Sequence, residues 1–421
     1  MNNRILITLL AGYFFVYIIN NLSLTYDRSS VQFLYLGVLN IVSLGYLFTK
    51  FSFNQILSTI LKSKSFIYYS AFILISTISI TVADNKTESF LILSQYLTFF
   101  FSFLVITLIS LKAKFNFIQL FMIFCIISIA IESFGVLYDL INNVFIEGKT
   151  FSRSNKFSGF TANVNITAFS IVIKLPILLY YIFTNTKLRI NVLLLLILLM
   201  SVSSLFILLS RGAFLAFLIV TFLFLIIIFW AKTKNRFKST IISLMIVIVG
   251  YFIISNIISN QNNSNLINDR VASIQINTED QSINERLRFY GAAVESISKN
   301  PFLGIGLGNW KIESIKYDSK NIRGYRIPFH AHNDFLQVTS ESGIFAFFLF
   351  TIILFNPFVR QIKKISTKTS KDEVVTMIIL ISLLVYILDS MLNFPIARPI
   401  SHIFLLFLLS ALNLIQTSYE K

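Results

Sequence analysis

The sequence predicts an all-α polytopic membrane protein of about twelve transmembrane helices, and three observations carry that expectation. Hydrophobic residues make up 56% of the 421 positions and charged ones only 13%, a balance foreign to soluble domains of this length. The apolar residues come in long runs. VLLLLILLMSVSSLFILL (Val192 to Leu209) and AFLAFLIVTFLFLIIIFWA (Ala213 to Ala231) each approach the ~20 residues that a helix needs to cross a bilayer. The third observation is where the basic residues fall between such runs.

Hydropathy sets the spans near 4–22, 31–49, 66–83, 90–111, 116–141, 165–184, 189–210, 212–231, 239–259, 335–358, 374–395 and 399–417. The first begins at Arg4, but no small-residue cleavage site follows and the second run comes almost at once, so it reads as a retained span. The fifth contains Cys125, the only cysteine, which leaves no intramolecular disulfide to form. The sixth carries Lys174. The seventh turns into the eighth at SRGA, around Arg211. Three parts follow from this order: helices 1–9 over residues 1–259, an extramembrane loop over 260–334, and helices 10–12 over 335–421.

A net charge of +16 invites a nucleic-acid reading, and the positions of the charges remove it. With an even number of spans and the N-terminus inside, the inner segments hold eighteen Lys and Arg, from Arg4 to Lys421. The short outer segments hold six: Arg28, Lys86, Lys149, Arg153, Lys156 and Arg398. This positive-inside bias sets both termini in the cytoplasm and makes most of the basicity topological.

The loop between spans nine and ten is the one large outer piece. Its start, SNQNNSNLINDR, is polar enough to be mobile. ERLRFYGAAVESISK (Glu285 to Lys299) reads as an amphipathic helix with Leu287, Tyr290, Val294 and Ile297 on one face. NPFLGIGLGNW ends that helix and opens a glycine-rich turn, and NWKIESIKY forms a second short helix. Gly304, Gly306 and Gly308 lack a preceding strand and the spacing of a dinucleotide fingerprint, so they mark a turn or a close approach. Between Glu285 and His332, eight basic residues face four acids. Either the surface is simply solvated, or it receives an anion such as a phosphate or diphosphate.

Charged groups within spans are costly and by default suggest function. For Lys174 and His402 an internal structural pair or snorkelling is the better account. Arg211, Asp389 and Arg398 gather at the outer face, with the basic loop and His332, and there function is the better account.

His332 itself, in FHAHNDFLQVTSESGIFAFFLF (Phe329 to Phe350), has three roles open to it: structural, metal-binding or general base. No His or Cys cluster has ligand spacing and no outer loop has an Asp-x-Asp pair, which disfavours metal. A near-neutral base at the mouth of a bundle, beside arginines, suits deprotonating a sugar hydroxyl while cations neutralise a departing diphosphate. Because the tenth span should begin near Asn333, the rings of His330 and His332 are expected to diverge.

HNDFLQVTSESGIFA (His332 to Ala346) resembles the signature of the O-antigen ligase and polymerase superfamily: a His, then Asn, Ser or Gln, nine residues, Gly, and a small residue or Tyr three further on. His332, Asn333 and Gly343 match, and Ala346 is a mild departure. The resemblance extends to SRGA around Arg211, ERLRFYGAAVESISKNPFLGIGLGNW, GFTANVNITAF around Asn163 and Asn165, and LDSMLNFPIARP near the C-terminus, in the family's order. It implies a helical bundle like the C-type glycosyltransferases, lying in a bacterial inner membrane, with a periplasmic active site and a large periplasmic loop between helices 9 and 10. Members move a glycan from undecaprenyl diphosphate to an acceptor hydroxyl without metal, cofactor or nucleotide sugar. The resemblance carries the base onto His332 and the diphosphate-binding arginines onto Arg211 and Arg286, with Arg288 as a neighbour. Asn333, Asn163, Asn165, Arg326, Asp389 and Arg398 are expected to support them.

Three functions stay open: a ligase passing finished O-polysaccharide to lipid A–core, a polymerase extending one lipid-linked repeat with another, and a transporter that catalyses nothing. The transporter is the weakest, because its site should lie near the midplane between repeated halves and no repeat is present. The ligase is favoured because the His-Asn…Gly pattern is nearest its signature.

Overall fold

The computed structural model describes residues 2–19, 28–151, 157–161, 163–232, 236–262, 281–319, 327–362 and 370–419. Among these the chain is helical, with no strand and fifteen α-helices. They are α1 (Asn3–Phe14), α2 (Arg28–Phe48), α3 (Phe53–Ile60), α4 (Lys64–Ile78), α5 (Lys86–Lys112), α6 (Phe117–Leu140), α7 (Val164–Thr184) and α8 (Leu188–Leu208). The others are α9 (Arg211–Trp230), α10 (Arg236–Asn262), α11 (Gln281–Lys299), α12 (Trp310–Asp318), α13 (Asp334–Ile362), α14 (Lys371–Leu392) and α15 (Pro399–Tyr419). Ten of them are long and apolar enough to cross a membrane. The runs near 4–22 and 399–417 coincide with two shorter apolar helices, Asn3–Phe14 and Pro399–Ile415. In the first case α1 stops at Phe14 and passes into the 3-10 turn Val16–Ile18. Large apolar side chains such as Ile41, Leu218 and Phe222 stand outward on these helices, the arrangement of a protein whose solvent is lipid. This is a multi-pass membrane protein.

The described residues form two compact units. One takes residues 118–275 and 365–386. In it α8 packs on α10 and on α7, and α7 on α9. Here Lys174 meets Glu132: Nζ lies 2.8 Å from Oε1, with Ser170 Oγ and carbonyl completing its shell at 2.6 and 2.9 Å. Lys174 is thus held in an internal pair. Glu132 gave no signal in the sequence reading because its partner is forty-two residues away.

The other unit takes residues 1–117, 276–364 and 387–421. In it α13 packs along α4, and α15 and α2 against α5. His402 lies buried in this core, 2.7 Å from the Tyr69 hydroxyl. Helices α11 and α12 pack onto it through the glycine-rich turn. At Gly343 the backbone of α13 breaks to φ 81°, ψ 179°, a conformation essentially reserved for glycine. A Cβ there would sit 1.9 Å from the Phe302 carbonyl oxygen. The break releases helix groups, and the turn takes them: Ile344 N–H donates to Pro301 at 2.8 Å, and Ser340 and Glu341 carbonyls accept from Ile305 and Gly306 at 2.9 and 3.0 Å. The buried Glu341 carboxylate accepts from Gly308 and Trp310 N–H at 3.0 and 3.2 Å. The three turn glycines are therefore a close-approach site, all with positive φ.

The polar run expected to be mobile falls largely on residues 263–280, outside the described residues. Helix α11 forms as expected, but it packs with a different face. Leu287 and Val294 are exposed, whereas Ala292, Ala293 and Ser296 are buried. The small side chains explain this: they let α11 approach α13 closely enough for Ser296 and Ser340 to bond at 3.0 Å, and Trp310 fills the space beside them.

Candidate active site at the start of α13

Four elements converge at the start of α13: α11, the non-helical segment 327–333, the end of α14 and the turn into α15. Asn333 caps α13, its side chain accepting from Leu336 N–H at 3.1 Å. Just before the cap, His332 takes φ +55°, a left-handed value that histidine tolerates better than most side chains. Tyr290 on α11 clamps the corner. Its hydroxyl lies 3.1 Å from the His332 carbonyl and 3.1 Å from the Met391 carbonyl at the end of α14.

The His332 ring stacks near Phe289 (6.2 Å, 16°) and meets the edge of Phe394 at 5.1 Å and 76°. Its Nδ1 is buried without a hydrogen-bond partner among the described residues. Burial lowers the imidazole pKa to about 4, and the nearby guanidinium groups of Arg286 and Arg398 push in the same direction. The ring is therefore neutral at physiological pH. Burial likewise raises the Tyr290 pKa, against the opposing effect of Arg286, so this phenol keeps its proton.

Phe394 organises the other side. The His330 ring stacks on it at 4.0 Å and 13°, and the Arg398 guanidinium lies 4.7 Å from its centroid. The expected divergence of the two histidine rings is thus corrected: both reach Phe394. The reason is local. Helix α13 starts only at Asp334, so His330 and His332 occupy an irregular stretch in which residues two apart return to one side. Burial, with Arg398 and His332 adding to it, lowers the His330 pKa to about 3.

Asp389 is buried near the end of α14. It accepts from Asn393 Nδ2 at 2.6 Å and lies within the field of Arg286. Asp334, which the sequence reading passed over, is buried beside it and accepts from Ile396 N–H at 3.0 Å, tying α13 to the turn that carries Phe394 and Arg398. Of the expected residues, then, His332, Asn333, Arg286, Asp389 and Arg398 come together. Arg288 is exposed, two positions from Arg286 and hence on another side of α11. Arg326 lies outside the described residues.

The remaining three form a second cluster, in the other unit. Asn163 caps α7, its side chain accepting from the N–H groups of Asn165 and Ile166 at 2.9 and 3.3 Å. Asn165 accepts from Ser210 Oγ at 2.8 Å, and Ser210 precedes Arg211, the first residue of α9. Leu209, at φ +49°, makes the sharp turn between α8 and α9.

Three lysines of the loop are paired. Lys311 pairs with Glu88 at 2.6 Å, Lys316 with Glu313 at 2.6 Å, and Lys299 with Glu295 at 2.9 Å. Much of the loop's apparent cationic excess is compensated locally. Among the described residues no three His, Cys, Asp or Glu side chains converge as a metal-binding group.

The residues missed by sequence reasoning are mostly neutral: Phe289, Tyr290 and Phe394 carry no charge signal. Only the LNFP run around Phe394 marked the position. A search among curated proteins finds no match. Residues 192–351 match the family described as O-antigen ligase, a span that includes Arg211, Arg286, His332 and Gly343.

Proposed function

On the premise that the chain belongs, through its O-antigen ligase domain at residues 192–351, to the O-antigen ligase and polymerase superfamily, we propose that it transfers O-antigen polysaccharide from undecaprenyl diphosphate to a sugar hydroxyl of lipid A–core. The family match supports the coarser statement, a ligase- or polymerase-type function in O-antigen assembly. The donor, the acceptor, the inner-membrane location and the periplasmic face of the site belong to the proposal.

The observation that carries it is the neutral His332 ring, with an uncommitted Nδ1, in the field of Arg286 and Arg398. The acceptor oxygen attacks the anomeric carbon. The new C–O bond forms as the bond to the diphosphate breaks, His332 takes the hydroxyl proton, and the diphosphate leaves as an anion matched by guanidinium groups. Arg286 serves it in this unit; Arg211 lies in the other unit, and its anion-binding role is what the resemblance implies. A bound diphosphate offsets the cations that depress the imidazole pKa, so donor binding raises the basicity of His332 towards the working pH. No step needs a metal: transfer by purified protein should persist in EDTA, and loss of activity restored by magnesium or manganese would overturn that point.

The lipopolysaccharide of a deletion strain separates the readings. Polymer retained on undecaprenyl diphosphate supports the ligase. Core capped by a single repeat would make the protein a polymerase that joins lipid-linked repeats, and lipid-linked glycan stranded on the inner leaflet would make it a transporter. The orientation has its own test, simplified by the buried lone Cys125. An impermeant thiol reagent should label an exposed Ser298→Cys from outside and leave Ser58→Cys unlabelled; the reverse pattern would invert the topology.

A further inference from the structure

The far end of α11 from His332 carries a second concavity, of about 470 Å³ and open to solvent. Its floor is the turn 301–305, fixed by the backbone bonds to α13 and by the contact of Gly304 with Ser340, where a Cβ would come within 2.4 Å of the carbonyl oxygen. Its walls carry charges of both signs in equal number. Lys316 lies between Glu313 and Asp84, at 2.6 and 3.5 Å, and Lys299 stands opposite, 3.4 Å from the Tyr317 hydroxyl. Asn300 adds an amide. At the edge Phe302 is 64% exposed, with its ring face 6.4 Å from Phe345.

A site for a diphosphate would hold cations in excess. Here both lysines are already paired with carboxylates, Lys316 with Glu313 and Asp84 and Lys299 with Glu295, so the lining offers many donors and acceptors with no excess of positive charge, beside one exposed aromatic ring. That chemistry matches a neutral, hydroxyl-rich chain, and the volume falls in the range of ligand sites, roughly 300–1,000 Å³. The distance also fits. From Tyr290, which holds the His332 carbonyl, to Lys299 is nine helical residues, about 14 Å at 1.5 Å each, a span that a few linked sugars cover.

We propose that the concavity between the 301–305 turn, α12 and Asp84 is a saccharide subsite, which holds a stretch of glycan several sugars away from the reacting bond. The inference rests on the glycan-transfer reading above. The glycan belongs either to the lipid-linked donor or to the acceptor, and the two sources are told apart by lengthening one at a time.

The test uses the purified full chain, with undecaprenyl-diphosphate donors of one and of three repeats and acceptors with short and with complete core oligosaccharide. Wild type should show a lower KM for the longer version of one substrate. Phe302→Ala and Asn300→Ala should remove that preference, raising KM for the long substrate about tenfold, while kcat and the KM of the short substrate stay put. Phe302 is exposed, so its truncation leaves the core intact; monodisperse elution of each variant checks this. Direct binding of lipid-free three-repeat oligosaccharide should weaken in parallel. Variants that retain the full length preference, in an enzyme that transfers normally, would overturn the subsite. Oligosaccharide binding that the variants abolish, in a wild type that transfers nothing, would instead overturn the transfer reading and leave the subsite standing.

Discussion

His402 and His332 lie in the same compact unit and occupy opposite settings. His402 is 1% exposed, with its Nε2 2.7 Å from the Tyr69 hydroxyl and its ring 4.3 Å from Phe99. Each of those contacts is with a neighbour that holds it in place. His332 has a ring between Phe289 and Phe394, a partnerless Nδ1 and two guanidinium groups in its field. Its backbone is also held at a positive φ by a corner that Tyr290 clamps. The difference teaches where function resides in such a bundle. Burial of a titratable group is common to both, but only one of them is left chemically uncommitted.

The largest separation between the two should come from replacing each. His332→Asn keeps a side chain that tolerates the left-handed conformation and removes the base, so transfer should fall on the order of 10²–10⁴-fold. His402→Ala should leave the rate per folded molecule at the wild-type level. A wild-type rate in the first variant, or a catalytic loss in the second, would erase the distinction.

Next in size are the cations. Arg286→Ala should lose most transfer and Arg286→Lys should recover only part of it, because a diphosphate favours a planar, bidentate partner. Arg211→Ala should likewise lose most transfer, as the resemblance expects. His330→Ala should cost less than either, acting by loosening Phe394 rather than by removing a reacting group.

The pH dependence sharpens the comparison further. Because the folded pKa of His332 lies below the ordinary value of ~6.5, kcat/KM should hold from neutrality down through pH 6 and fall only as the pH drops through about 4. Arg286→Ala removes one source of that depression, so its acid limb should move to higher pH. An unmoved limb would mean that another group titrates.

The smallest effect concerns stability. His402→Ala leaves the buried Tyr69 hydroxyl without its partner, at a cost of roughly 1–3 kcal/mol, read as a lowered thermal midpoint with normal transfer by the surviving fold.

The helices were legible in the sequence because bilayer-spanning runs are a local signal: ten of the twelve runs meet helices long enough to cross a membrane, and the first and last meet shorter apolar ones. Asp389 and Arg398 stood out as charges in unlikely places and His332 as a base at the mouth of the bundle, whereas Arg286 and Asn333 were picked out only by the resemblance. What escaped was set by tertiary packing. Tyr290 and Phe394 look like ordinary aromatics until α11 and the 393–398 turn bring them to His332. The packing face of α11 was misread because alanine and serine weigh little in a hydropathy stripe, yet they decide how closely two helices approach. The role of Gly343 became clear only from the Phe302 carbonyl against it.

Chemical rescue tests the central claim most directly. His332→Gly preserves the positive φ and leaves room for a free base, so transfer by the purified variant can be followed with and without added imidazole, alongside donor binding. The account predicts unchanged donor binding, transfer lowered on the order of 10²–10⁴-fold, and a recovery that grows with imidazole concentration. Wild-type transfer by His332→Gly without imidazole would contradict it.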